Sequence, residues 1–198
     1  NGVTIDSIER IYDQYLADDV RARTSSQARF DTYYSLATRL DGLMADPAVG
    51  LGPVLDSFFG AVQDVANNPG SLPERQVMLG EAQALADRFA YLDANFRNLD
   101  SEVNGRIEAV VGEINALSEG IANLNRQITQ AAARGGGQAA PDLLDERDRL
   151  VVELASKVNV TTVEQSDGSL NVLIGNGQPL VVGLTAEQFQ TATDPNDP

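Results

Sequence analysis

The 198-residue chain carries 14 basic and 29 acidic side chains, a net charge of 14 − 29 = −15, which makes nucleic acid and an anionic membrane surface poor partners. It has no Cys and no His, so disulfides, thiolate metal sites, the commonest zinc ligand and the commonest general base are excluded. Trp is absent and aromatic residues make up 6%, too few for a stacking platform, and no uncharged apolar run approaches the ~18 residues of a membrane span.

The start at Asn1-Gly2, without Met or an apolar leader, and the closing "TATDPNDP" suggest a piece cut from a longer chain. Residues 4–44 carry helical spacing at both ends: Ile8, Tyr12 and Tyr15, then Phe30, Tyr33, Ala37, Leu40 and Met44. Between them "DDVRARTSSQA" is polar on nearly every side, so one long helix with a weak middle near Thr24–Gln27 is predicted. "ADPAVGLG" reads as a loop, and Pro53 as the first residue of a second helix bearing Leu55, Phe58, Phe59, Val62 and Val65. That helix should stop at Asn67-Asn68, because the residue before Pro69 is pushed out of the helical region.

Ser71 and Glu74 have capping-box spacing and should open the next helix, with Pro73 tolerated in its first turn. Apolar residues then recur by threes and fours: Leu85, Phe89, Leu92, Phe96, Leu99, Val103, Ile107, Val110, Ile114, Leu117, Ile121, Leu124 and Ile128. This is a coiled-coil seam with a stutter at Val103–Ile107, on a helix of ~60 residues and roughly 90 Å. Such a seam needs partner helices. Gly105, Gly112 and Gly120 each weaken the helix by ~1 kcal/mol relative to Ala. They are either inert surface glycines or points of close helix approach, and the sequence does not choose.

"AAARGGGQAA" reads as a connector, and Pro141 opens a short helix with acidic residues at its positive end and Lys157 near its negative end. Leu143, Arg147, Leu150 and Leu154 share one face of it, as do Leu144 and Val151. The period then changes to two. "VNVTTVEQ", "LNVLI" and "PLVVG" read as strands joined by the turns "SDGS" and "GNGQ".

No stretch carries recognisable chemistry. The acidic run "DLLDERDRL" is best read as a solvated helix face with Arg147 and Arg149 in local ion pairs. "SDGSLN" lacks the alternating ligands of a calcium loop, and "GNGQPL" lacks the third Gly and following helix of a nucleotide loop. No enzyme, catalytic residue, metal or cofactor is therefore expected. Tyr12, Tyr15, Tyr33 and Tyr34 are either helix-packing residues or parts of a partner surface; Ile8, Tyr12 and Tyr15 form the stripe assigned to such an interface.

Several stretches resemble the flagellar hook-associated protein 1 family, whose members join hook to filament. They are "NGVTIDSIERIYDQYLADDVRARTSSQ", "LDSFFGAVQDVANNPGSLPERQVMLGEAQALADRF", "VNGRIEAVVGEINALSEGIANLNRQI" and "PDLLDERDRLVVELASKVNVTTVEQSDGSLNVLIGNGQPLVVG", in that order. The resemblance implies parallel helical struts, with "NNPGSLPE" reversing the chain in one tight turn. It also implies outer β-rich domains, terminal polymerisation helices lying outside this sequence, and export through the flagellar secretion channel without a cleavable signal.

The expectation is thus a mainly α protein: an elongated helical bundle or coiled-coil rod over residues 1–157, then a β-meander over 158–198 that begins an outer domain. The expected function is that of an extracellular structural subunit at the hook–filament junction. The expected partners are further copies, hook protein and the second junction protein, and the state of the isolated piece stays open. The alternatives are another axial protein, such as the second junction protein or flagellin, and a coiled-coil adaptor.

Overall fold

The computed structural model describes residues 13–45, 50–134 and 141–192; Ile8 and Tyr12 lie outside them. The described residues form four helices, α1 (Gln14–Met44), α2 (Leu51–Asn67), α3 (Leu72–Arg134) and α4 (Pro141–Ala155). Strands β1 (Val160–Glu164), β2 (Leu170–Ile174), β3 (Gln178–Val182) and β4 (Thr185–Ala186) follow. The protein is mainly α with a small antiparallel sheet, in the order β1-β2-β3-β4. The chain divides into two compact units, Asn1–Phe30 with Arg106–Pro198, and Asp31–Gly105.

In the first unit the meander packs on the later part of α3 and on α4. Ile114, Ile121 and Ala122 of α3, Val151, Leu154 and Ala155 of α4, and Val160, Leu170, Val172, Leu180 and Val181 of the strands form one core. The reason is periodicity: α3 and α4 each present an apolar stripe, and alternate strand residues present an apolar face. At ~1.5–3 kcal/mol per fully buried aliphatic side chain, this cluster dominates the unit's stability. Gly120 lies against α4: a Cβ there would be 3.0 Å from Leu150 Cδ1. Gly105 and Gly112 face open space, so the two readings of the glycines divide between positions.

The polar middle of α1 does not interrupt the helix. Arg21, 3% exposed, donates to Asp18 Oδ1 (2.5 Å) and to Thr162 Oγ1 on β1 (3.2 Å). Ser25 Oγ donates at 2.7 Å to the Ala155 carbonyl, an acceptor that the end of α4 leaves open, and lies 3.1 Å from the Val158 carbonyl just beyond the helix. The stretch is polar because it docks on a helix terminus and a strand edge, where polar groups are needed.

In the second unit Ala61 of α2 and Leu92 of α3 are buried. Arg39 of α1 grips Glu102 of α3 through both guanidinium nitrogens, at 2.6 and 2.7 Å. Pro53 is the third residue of α2 rather than the first, still within the turn that lacks intrahelical donors' partners. The α2–α3 turn differs from a reciprocal capping box: the Ser71 N–H donates to the Asn68 carbonyl (3.0 Å), and Glu74 Oε1 accepts from Asn68 Nδ2 (3.1 Å). Asn68 Nδ2 thus takes the place expected of the Ser71 N–H as donor to the Glu74 carboxylate.

Of the expected strands the first is shorter than 158–165, the second coincides with β2 and the third is shifted by one residue from 179–183; β4 has only two residues and so carries no period. Both expected turns use glycines in the left-handed region, Gly168 (φ 82°) after β1 and Gly175 (φ 57°) with Gly177 (φ 97°) after β2.

Candidate functional site

Within the first unit, side-chain amides of α3 hold the backbone of the meander. Asn125, fully buried, donates through Nδ2 to the carbonyls of Leu170 (2.9 Å) and Gly183 (2.6 Å). Its Oδ1 accepts from the Leu170 N–H and from Arg147 Nη1, each at 3.1 Å. The two donors and two acceptor directions of the carboxamide are therefore all engaged. Arg147 Nη1 also donates to the Gly168 carbonyl at 2.7 Å. About three turns earlier in the helix, Asn115 pairs with Phe189, donating to its carbonyl and accepting from its N–H, both at 2.9 Å. Arg126 Nη1 reaches the Leu184 carbonyl at 2.5 Å.

The structure corrects the reading of Arg147. It is not on a solvated face; it is 3% exposed and reaches from α4 to a turn of the sheet. Its place between Leu143, Leu150 and Leu154 on one apolar face was the available signal. Arg149 does lie in solvent, paired with Glu146 (2.7 Å) and Glu153 (3.0 Å). That contact holds the Glu146 carboxyl below its ordinary pKa. Lys157 lies beyond the end of α4 and pairs with Glu113 of α3 at 2.6 Å. Asn115 and Asn125 were missed altogether. Their signal is faint: an asparagine inside a helix is a poor helix former, so one beside a buried seam position calls for a reason.

Chemistry of other kinds finds no assembled site. Among the described residues no group of three or more acidic, His or Cys side chains is placed to hold a metal ion. A shallow cavity of about 210 Å³ between Leu144, Arg147, Asp148, Thr162 and Leu170 is bordered by groups already engaged in the contacts above. Asp167 serves its own turn, accepting from Ser169 Oγ (2.6 Å) and the Ser169 N–H (2.9 Å); these bonds hold its carboxyl below the ordinary value.

A number of large apolar side chains remain uncovered. Tyr15 is 79% exposed, and Tyr33 and Tyr34 are 72% and 73% exposed, so none of the three is covered by the described residues. In the second unit the large exposed side chains include Phe59, Leu79, Val77, Phe89 and Tyr91. The seam of α3 is unevenly covered: Ile114, Ile121, Leu124 and Ile128 are buried in the first unit, where Ile107 is exposed, whereas in the second Leu92 is buried and Phe89 and Phe96 are exposed. Single exposed apolar residues are ordinary; here large ones recur on three helices of a charged chain. No described helix is long and apolar enough to cross a membrane.

Comparison with known proteins gives a consistent answer. Residues 37–198 match the family model described as the flagellar hook-associated protein FlgK helical domain. Over 198 residues, all of this chain, the sequence is 35% identical to flagellar hook-associated protein 1 of Salmonella typhimurium and 31% identical to that of Escherichia coli. It spans 36% of the length of each of these relatives. The structure of the flagellar hook junction protein FlgK from Burkholderia pseudomallei superposes with a TM-score of 0.77 at 32% identity, over 86% of this chain and 30% of that one.

Proposed function

The chain belongs to the flagellar hook-associated FlgK family, and from that membership we propose that it is the helical part of a structural subunit at the junction of hook and filament. The observation that supports this reading is the uncovered apolar surface of the helices, Tyr33, Tyr34, Phe59, Phe89 and Tyr91, on a chain whose charge keeps it soluble. A packing subunit acts by such surfaces and needs no catalytic residue. Its neighbours in this proposal are further copies, hook protein and the second junction protein. It reaches the cell exterior through the flagellar secretion channel.

Tyr15 belongs to the interface in this proposal, together with Ile8 and Tyr12. The strands at 158–198 open a β-rich outer part of the full-length protein, carried on the helices of 1–157 through the shared core. Deletion of the gene from a motile bacterium tests the function. Hooks without filaments, with filament protein free in the medium, are expected, and complementation by the full-length gene should restore swimming. Normal filaments in the deletion strain would reject the assignment. Crosslinking through photoreactive side chains at Tyr15 tests the interface: capture of an axial neighbour supports it, and crosslinks confined to one copy remove it.

A further inference from the structure

Three Asn-Gly pairs occur in the chain, Asn1-Gly2, Asn104-Gly105 and Asn176-Gly177; the first lies outside the described residues. The other two are the same dipeptide in opposite settings. We propose that Asn176, at the tip of the β2–β3 hairpin, is a site of spontaneous deamidation, and that Asn104 is protected from the same reaction by the helix around it.

The reaction is intramolecular. The deprotonated backbone nitrogen of Gly177 attacks Cγ of Asn176, forming a C–N bond and a five-membered imide. The Cγ–Nδ2 bond breaks, and Nδ2 leaves with a proton as ammonia. Water then opens either carbonyl of the imide, giving aspartate or isoaspartate. One water enters and one ammonia departs, with no oxidant, metal or enzyme.

The hairpin leaves this path open. Asn176 and Gly177 are exposed, and a Cβ built on Gly175 or Gly177 would meet nothing within 4 Å. Gly177 itself offers no side chain to block approach to its nitrogen. The Asn176 side chain is exposed in the turn, which leaves its Cγ room to rotate toward that nitrogen. The Gly177 N–H is held only by a 3.2 Å bond to the Ile174 carbonyl, at the long end of the range. Glycines on both sides give the backbone the torsional freedom ring closure demands.

Asn104 has none of this. It lies inside α3, its Nδ2 donates to Asp100 Oδ2 at 3.2 Å, and the Gly105 nitrogen belongs to the helical ladder. Closing the ring there requires breaking a helical turn first.

Conversion would add a negative charge to the turn. The isoaspartate product would also add a backbone atom between Ile174 and Gln178, which are directly paired across the hairpin. The test is incubation of the folded, intact protein in mildly alkaline buffer, followed by peptide mapping and labelling with an isoaspartyl methyltransferase. Asn176 is expected to convert at least about tenfold faster than Asn104, the ratio that ~1.4 kcal/mol of extra barrier produces. In denaturant the two rates should converge, and Asn176→Gln should remove the label from its peptide. An unmodified Asn176, or equal rates at the two positions in the folded protein, overturns the proposal.

Discussion

Asn125 ties α3 to the backbone of Leu170 and Gly183 and to Arg147 through four hydrogen bonds. Its truncation to Ala would leave the Leu170 N–H, two carbonyls and one Arg147 contact without their partner in a dry setting. Each buried polar group so orphaned costs about 1–3 kcal/mol, so Asn125→Ala should lose about 3 kcal/mol or more in urea unfolding. A loss below 1 kcal/mol, roughly that of one ordinary hydrogen bond, would mean that water replaces the amide. Asp167 is a milder case and its sign is fixed by its shift. Hydrogen bonds from Ser169 lower its folded pKa below the ordinary 3.8. Its contribution is therefore complete above that value and lost as pH falls through the folded pKa. The gap in urea midpoint between the parent and Asp167→Asn should be constant near neutrality and close below 3.8, measured by circular dichroism across acid pH.

Among elements, α3 was the most legible in the sequence, because a sustained three-four period with no proline admits few other structures. α1 was legible at its ends and misread in its middle. The polar run looked like a weakness only because its partners, Thr162 and the last carbonyl of α4, lie more than a hundred residues away in sequence. The glycines of α3 illustrate the same limit, since spacing alone could not separate Gly112, in the open, from Gly120 beneath Leu150. Substitution separates them. Gly112→Ala should stabilise by ~0.5–1 kcal/mol through helix propensity and the restricted unfolded chain. Gly120→Ala should gain less or lose, because its methyl meets Leu150 Cδ1 at 3.0 Å and that side chain must shift. Equal gains in thermal denaturation would show that Leu150 moves without cost.

For the molecule as a whole, the sequence revealed the order of helices and strands and the family, because those rest on local pattern and on many residues at once. It did not reveal how the core is shared: the meander and the later part of α3 fold around one set of buried side chains, a non-local fact that depends on Asn125 and Arg147 as well as on the apolar pattern. The uneven cover of the α3 seam is the other such fact. Ile121 and Ile128 are buried within the chain's own first unit, whereas Phe89 in the second remains 51% exposed. Two kinds of mutational sensitivity should therefore coexist on a single helix. Ile121→Ser should lower the melting temperature of the purified protein and abolish swimming together. Phe89→Ser should leave melting nearly unchanged, and any motility it removes is lost in assembly alone. In the proposed packing role, a screen for folded protein and a screen for moving cells would thus disagree about Phe89 and agree about Ile121. An evolving lineage would accordingly be free to change Phe89 only in step with the subunits proposed to lie against it, whereas Ile121 answers to its own fold alone.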